Sequence, residues 1–343
     1  DIVNLLTTGQ SFAASNRDNN HWGIRLVDNG TTDCDTTTAK DCVVLYKGND
    51  FSARDTSYDQ RVVLNNNNRF GVLDDIDFYF NKKNGYTKDL YGLPTRGLVG
   101  YWPFTASTTL DLSDKGNNGL FIGVSNHVTT TCAMDSGCFN FDGTEDYIEV
   151  AYTGNLNITG DITLSAWIKR GDTANASAII AKASGGTVKD YDLYISNEAS
   201  HIDELRFYTD GGSGAYYDSG ATITDTANWH HIVFTRSGTT WQFYVDGAAA
   251  GSGSSGQAFT SGNRSVLIGY DTYANSYFNG YIDEPLIYTR GLSALEATQL
   301  YNTTKPTSTS AGERTFGSIY IINGVATSTI TFFGDGAAQL THD

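Results

Sequence analysis

From Gly97 to Asn302 the chain is a succession of short alternating runs cut by Gly and Asp turns, a pattern that leaves few options besides two layers of antiparallel strands. The runs are GLVGYWPF (97–104), FNFDGTEDYIEV (139–150), DITLSAWIKR (161–170), SAIIAKAS (177–184), YDLYISN (191–197), ELRFYTDG (204–211), WHHIVFTRSGTTWQFYVDGAAAG (229–251), SVLIGYD (265–271) and GYIDEPLIYTRGLS (280–293). They recur at intervals of about 8 to 15 residues, which is the rhythm of a double-sheet jelly roll. In one of them Trp241, Phe243 and Val245 alternate with Gln242 and Tyr244 before a tight turn at Asp246-Gly247. The bracketing stretches Leu93-Pro94-Thr95-Arg96 and Thr303-Thr304-Lys305-Pro306-Thr307-Ser308-Thr309-Ser310 are rich in Pro, Thr and Ser, cannot pack a core and read as linkers.

The two ends outside those linkers read as halves of one smaller domain. Ile2, Leu5, Leu6, Gly9, Phe12 and Ala13 stand three and four apart, which predicts an amphipathic helix over Asp1–Arg17 with a favourable acidic start. Strand-like runs follow: HWGIRLVD (21–28), CVVLYKG (42–48), QRVVLN (60–65) and DIDFYFNKKNGY (75–86). After the middle stretch, FGSIYIINGVATSTITFFGDGAAQL (316–340) is cut by Asn323-Gly324 and Gly334-Asp335-Gly336 into a hairpin and a final strand expected to close the sheet. The expected fold class is mainly β: an antiparallel β-sandwich jelly roll at 96–305, inserted in a small α+β domain of N-terminal helix plus antiparallel sheet built from 1–95 and 306–343.

With 343 residues, 39% hydrophobic and 13% aromatic, the chain can build two real cores. Gly 37, Tyr 21 and a single Met suit a mostly β interior. The charge of −16 repels phosphate backbones and anionic lipid, so nucleic acid is not the main partner expected. No apolar run reaches the ~18–20 residues of a membrane span, and the chain starts abruptly within an apparent helix. The four cysteines fall into two close pairs, Cys34 with Cys42 and Cys132 with Cys138, without zinc-type spacing; two local disulfides in an oxidising compartment are expected, the alternative being four buried thiols. Asn65-Asn66-Asn67-Asn68 reads as a solvated turn, and the sequons at Asn157 and Asn175 matter only in a host that glycosylates.

In the outer halves, the stretches SFAASNRDNNHWGIRLVD, DCVVLYKGNDFSARDTSYDQRVVL and STITFFGDGAAQL resemble the globular head of type IV minor pilins and type II secretion pseudopilins, especially the FimT-like group. That resemblance covers about 130 residues in two pieces. It implies other pilin subunits as partners, and contact with a membrane only through a missing N-terminal helix. The prepilin cleavage site, the apolar first half of the helix and its early acidic residue are not in this sequence, so the chain is expected to be a soluble version of a longer protein.

In the middle stretch, Tyr101-Trp102-Pro103-Phe104, Phe141-Asp142-Gly143, Ala166-Trp167-Ile168, Trp229-His230-His231, Tyr244-Val245-Asp246-Gly247 and Gly280-Tyr281-Ile282-Asp283-Glu284 resemble the laminin G-like, concanavalin A-like jelly roll, in the family's order. Ser293 and Glu296 form a capping box for a short closing helix. Asp111, Ser113, Asn117 and Asn118 crowd oxygen ligands onto a glycine turn, which suits calcium. The resemblance places that turn beside the strand of Asp283, so the implied structural calcium set is Asp111, Asn117, Asn118 and Asp283, although Asp114 stands where Gly is usual. A second reading stays open, in which Asp111 and Ser113 only cap a turn and Asp283 only satisfies amides.

Catalytic signals are absent from the pattern. Glycosidases need two carboxylates facing one another, whereas Asp203-Glu204 and Asp283-Glu284 put neighbours on opposite strand faces. His230 and His231 alternate across a strand without a nucleophile beside them. The loops with Tyr216-Tyr217 and with Tyr270, Tyr273 and Tyr277 have the aromatic and polar makeup of a sugar or protein surface. The expected function is therefore non-enzymatic: a minor pilin-like or pseudopilin-like base presenting a laminin G-like module that binds a glycan or surface protein, on an extracellular filament or in the periplasm. The alternatives are a structural pseudopilin of a secretion system and a polysaccharide-degrading enzyme of laminin G-like fold.

Overall fold

The computed structural model describes residues 96–304 apart from 105–106, 114, 125, 135–136, 185–187, 211–213 and 261, together with 22–27, 42–47, 54, 56–63, 69–70, 76–80, 93–94, 315–323, 326–333 and 338–342. The strands begin with β1 (Trp22–Val27), β2 (Cys42–Lys47), β3 (Gln60–Val63), β4 (Arg69–Phe70) and β5 (Ile76–Phe80). The middle stretch holds β6 (Leu98–Tyr101), β7 (Gly119–Ile122), β8 (His127–Val128), β9 (Cys138–Asp142), β10 (Tyr147–Val150), β11 (Ile162–Arg170), β12 (Ser177–Ser184), β13 (Val188–Ile195) and β14 (Glu204–Thr209). It continues with β15 (Ala215–Thr222), β16 (His230–Ser237), β17 (Thr240–Val245), β18 (Ala248–Ser254), β19 (Val266–Ile268), β20 (Tyr270–Asp271), β21 (Ser276–Tyr277), β22 (Asn279–Tyr288) and helix α1 (Ala294–Thr304). β23 (Thr315–Asn323), β24 (Ala326–Phe333) and β25 (Ala338–His342) end the chain.

The chain divides into two compact units, one from 1–96 with 307–343 and one from 97–306. In the first, β3-β2-β1-β5 form one antiparallel sheet, and the apolar run of β2 is buried along its whole length, as an internal strand covered on both faces requires. β25-β24-β23-β4 form another, in which Ile321 pairs with Phe70 and Ile322 with Arg69. The C-terminal hairpin thus adds to a strand from the first half of the chain, but in a separate four-stranded sheet and not as the closing edge of a single one. The long β23–β24–β25 meander satisfies its own backbone groups and needs only two residues of β4. The helix expected over Asp1–Arg17 lies outside the described residues.

The second unit is a sandwich of a seven-stranded sheet, β15-β14-β13-β12-β19-β10-β7, and an eight-stranded one, β18-β17-β16-β11-β22-β9-β8 with β6 on β22. Alternate residues of each strand meet in one core: Ile162, Leu164 and Ile168 of β11 and Ile232 and Phe234 of β16 face Tyr191, Leu193 and Ile195 of β13 and Leu205 and Phe207 of β14. Phe207 and Phe234 stack across the layers with centroids 3.9 Å apart. Each such fully buried side chain stabilises the fold by roughly 1.5–3 kcal/mol.

α1 begins as its sequence predicts. Ser293 N donates to Glu296 Oε2 at 2.8 Å and Glu296 N donates to Ser293 Oγ at 3.3 Å, while Arg290 clamps the same carboxylate. Trp167 Nε1 donates to Thr304 Oγ1 at 2.7 Å, fixing the end of the helix on the sandwich. Cys132 and Cys138 are joined by a disulfide. Cys42 is disulfide-bonded too, and Cys34, its expected partner, lies outside the described residues. His231 is buried beside Ser165 Oγ, and burial pushes its imidazole down to about 3, so it is neutral. His230 on the other face pairs with Asp246 at 2.8 Å.

Candidate functional site

The outer face of β13, β14 and β15 carries the polar and aromatic half of the alternation. Cross-strand pairing sets Asp192 beside Tyr208 and Tyr208 beside Tyr216 in one row, and Tyr194 beside Arg206 and Arg206 beside Asp218 in the next. A register shift opposite Lys182 and Ala183 skips Asp190. That extra residue turns Lys189 to the same face as Asp192, three positions on, which regular alternation forbids.

The hairpin β20–β21 supplies the facing wall. Asp271 Oδ1 accepts from Tyr273 N at 2.8 Å and Oδ2 from Ala274 N at 3.0 Å, so its carboxylate folds the turn that holds Tyr273 out. Between hairpin and sheet lies a pocket of about 180 Å³, lined among others by Lys189, Asp192, Tyr194, Tyr208, Tyr216 and Tyr273.

Lys189 is the hub of this pocket. Its Nζ lies 2.6 Å from Asp192 Oδ2 and 2.8 Å from Asp271 Oδ2, and 5.1 Å to 5.4 Å from the ring centroids of Tyr273, Tyr194 and Tyr208. Burial works against the ammonium, but the Asp192 and Asp271 carboxylates outweigh it and hold Lys189 well above the usual lysine range. Burial pushes Asp192 up to about 6, with Lys189 pulling it down and Asp271 pushing it further up. The Tyr194 hydroxyl is raised by burial; that of Tyr208 is raised by burial and by its 2.6 Å bond to Asp210. At the rim, Arg206 is shared between Glu198 at 2.7 Å and Asp218 at 2.6 Å, and its guanidinium lies 4.4 Å over Tyr216, which is 55% exposed.

Of the five tyrosines expected to meet a ligand, the pocket brings together Tyr216 and Tyr273. Tyr217 is corrected: it is 1% exposed and packs inward against Phe207, Phe234 and Trp241, because neighbours on a strand point to opposite faces. Tyr270 and Tyr277 stack on each other with centroids 4.0 Å apart, beside Tyr147, and do not line the pocket. The sequence pattern does not mark Lys189, Asp192, Tyr194 or Tyr208 as site residues. The outward places of Asp192, Tyr194 and Tyr208 are legible in strand alternation, but that of Lys189 depends on the bulge.

The calcium candidates sit in hydrogen bonds of the second reading. Asp111 Oδ1 accepts from Tyr101 N and Ser113 N, and its Oδ2 from Ser113 Oγ and Asn117 N, all within 3.0 Å. Asn118 Oδ1 accepts from Asp111 N, and the Asn117 amide group bonds Val99 O, Asn155 and Thr153. Asp283 accepts from the amides of Met134 and Glu284, so it serves the 133–134 loop; burial raises its pKa well above the usual range. A different group has metal-ligand spacing: ligand atoms of His201, Glu204 and Asp218 lie within 4.8 Å of one another. An imidazole in that set suits a transition metal better than calcium. Glu204 already spends its oxygens on His201 at 2.6 Å and Gly220 N at 2.6 Å, and Asp218 is held by Arg206.

Residues 142–298 match the model of the concanavalin A-like lectin/glucanases superfamily. Over 150 residues the chain is 23% identical to adhesion G-protein coupled receptor V1 of Danio rerio; this is 42% of the chain and 2% of that receptor. Among solved structures it is similar to domain 4 of AbnA, a GH43 extracellular arabinanase from Geobacillus stearothermophilus in complex with arabinotriose, with 17% identity, a TM-score of 0.49, and 59% of this chain and 96% of that one covered. It is also similar to a botulinum neurotoxin type C chain, from a structure described by the dependence of cell entry upon interaction with two ganglioside molecules, with 12% identity, a TM-score of 0.49, and 64% and 54% covered. The two packed antiparallel sheets together with the family match identify the middle unit as a jelly-roll domain of the concanavalin A-like lectin and laminin G type.

Proposed function

We propose that the protein is a non-enzymatic extracellular binding protein whose jelly roll takes a glycan in the pocket between Tyr216 and Tyr273. One observation carries this reading: two exposed tyrosines, 55% and 45% accessible, stand over a floor of buried carboxylates and tyrosine hydroxyls. Aromatic faces take the C–H faces of a sugar ring, and the polar floor orients its hydroxyls. The superfamily includes lectins, and the disulfides suit an oxidising, extracellular setting. Presentation on a minor pilin-like or pseudopilin-like base is part of the proposal and rests on the resemblance of the outer halves; a surface protein is the other ligand class such a display would serve. A structural calcium at Asp111, Asn117, Asn118 and Asp283 would have to displace the protein donors that the acceptor oxygens of that set already receive.

The superfamily also includes glucanases, and Asp192 near pH 6 beside Asp271 resembles an acid–base pair. Against turnover, the Lys189 ammonium bridges the two carboxylates where a scissile bond would have to sit. The test is a panel of neutral and charged oligosaccharides, with the wild-type chain and Tyr216→Ala and Tyr273→Ala compared for binding and for product release. Each variant is expected to weaken retention about tenfold with the fold unchanged, a typical aromatic stacking contribution. Retention that ignores both tyrosines, or sustained release of shortened product, overturns the reading.

A further inference from the structure

If the pocket between Tyr216 and Tyr273 is the glycan site proposed above, its charges say which glycans it accepts. Its lining carries one cation, Lys189, against the three carboxylates of Asp192, Asp271 and Glu198. Arg206 at the rim does not restore balance, because Asp218 already answers it. Lys189 is shared between Asp192 and Asp271 and Arg206 between Glu198 and Asp218, so two cations face four carboxylates and two negative charges are in excess.

Asp192 is the telling member. It is 1% exposed, its Oδ2 pairs with Lys189, and its buried Oδ1 receives no hydrogen bond. A buried carboxylate oxygen without a donor is costly, so a ligand that brings an N–H donor and a positive charge relieves it, and one that brings a carboxylate or sulfate compounds it. The surrounding rings already serve cations: Tyr194, Tyr208 and Tyr273 surround the Lys189 ammonium and Tyr216 carries the Arg206 guanidinium.

We infer that the pocket takes a sugar bearing a free amino group, with Asp192 as its counter-ion, and rejects anionic glycans. The inference rests on the glycan reading of the same pocket. The raised pKa of Asp192 agrees with it, since burial outweighs the lowering by Lys189 and an ammonium ligand would add to that lowering.

The test uses the full chain near pH 6.5 and four probes: a trimer of N-acetylglucosamine, the same trimer with free amines, a trimer of galacturonate, and trilysine. The free-amine trimer is expected to bind about tenfold tighter than its N-acetylated twin and the galacturonate trimer at least tenfold more weakly. Asp192→Asn, nearly isosteric, is expected to bring the amine-to-acetyl ratio to about one. Should that variant fold poorly, raised ionic strength on the wild type serves instead, because it must weaken the amine trimer selectively. A preference for galacturonate, or an amine preference that survives both Asp192→Asn and salt, overturns the inference while the glycan reading stands. Trilysine bound as tightly as the amine trimer overturns the sugar assignment in favour of a basic protein segment. If no neutral oligosaccharide of the wider panel is retained through Tyr216 and Tyr273, the glycan reading itself falls, and the inference with it.

Discussion

Two aspartates on the same sandwich, Asp111 in a turn and Asp192 on β13, use their carboxylates in opposite ways. Asp111 is 9% exposed and accepts from the amides of Tyr101, Ser113 and Asn117 and from the Ser113 hydroxyl, so its charge is spread over donors the turn itself provides. Asp192 is more deeply buried yet shares one lysine with Asp271 and leaves an oxygen without a donor. The first is how a carboxylate holds a loop; the second leaves something for a ligand to complete. In sequence the Asp111 turn is the more conspicuous of the two, because its oxygen ligands stand close together in the chain while the surroundings of Asp192 are assembled from distant strands.

The comparison breaks most readily at Asp111. Replacing it with Ala strips acceptors from three buried amides at once, and each buried donor left unsatisfied costs about 1–3 kcal/mol. Asp111→Ala is therefore expected to lose about 4 kcal/mol in denaturant unfolding, with Asp111→Asn intermediate. A loss below about 1 kcal/mol would show that the turn does not depend on this carboxylate.

Asp192 should behave oppositely, and with a pH signature. Its folded pKa, raised to about 6 by burial, lies above the unfolded carboxyl value, so the native state holds the proton more tightly and stability falls as pH rises from about 4 to about 6. The groups that face it are Lys189 on its own strand, Asp271 in the hairpin turn, and Tyr194 and Tyr208, with Glu198 at the rim. Asp192→Asn lacks this penalty, so between pH 4 and pH 7 the stability difference should move in favour of the variant by about 2–3 kcal/mol. A stability difference that does not change between the two pH values would show that burial does not raise the Asp192 carboxyl.

Much of this architecture is legible before any coordinates. Strand positions follow from period-two alternation, the start of α1 from Ser293 and Glu296, and the Cys132–Cys138 bridge from proximity. Tyr216 and Tyr273 are recognisable as exposed aromatics on loop-flanked strand ends, whereas Tyr217 needs the phase of β15, which a neighbouring pair of tyrosines does not reveal. What stays hidden is the Lys189 hub. It joins β13 to a hairpin some eighty positions later, and it faces the pocket only because of an irregularity at Asp190 that leaves no trace in the residue pattern.

The smallest effect expected is that of calcium on the Asp111 turn. Oxygen ligands at 2.3–2.6 Å would have to be drawn from a carboxylate whose acceptor positions are occupied, and from Asp283, which is bonded to the amides of Met134 and Glu284. The ion must then repay the broken hydrogen bonds before it stabilises anything, and a ligand raises stability only in so far as its concentration exceeds its dissociation constant. Millimolar calcium, compared with a chelator at matched ionic strength, is expected to move the melting temperature by less than about 1 °C. A rise of several degrees that Asp111→Asn and Asp283→Asn both abolish would establish that these oxygens rearrange into a calcium shell, and would erase the contrast between Asp111 and Asp192.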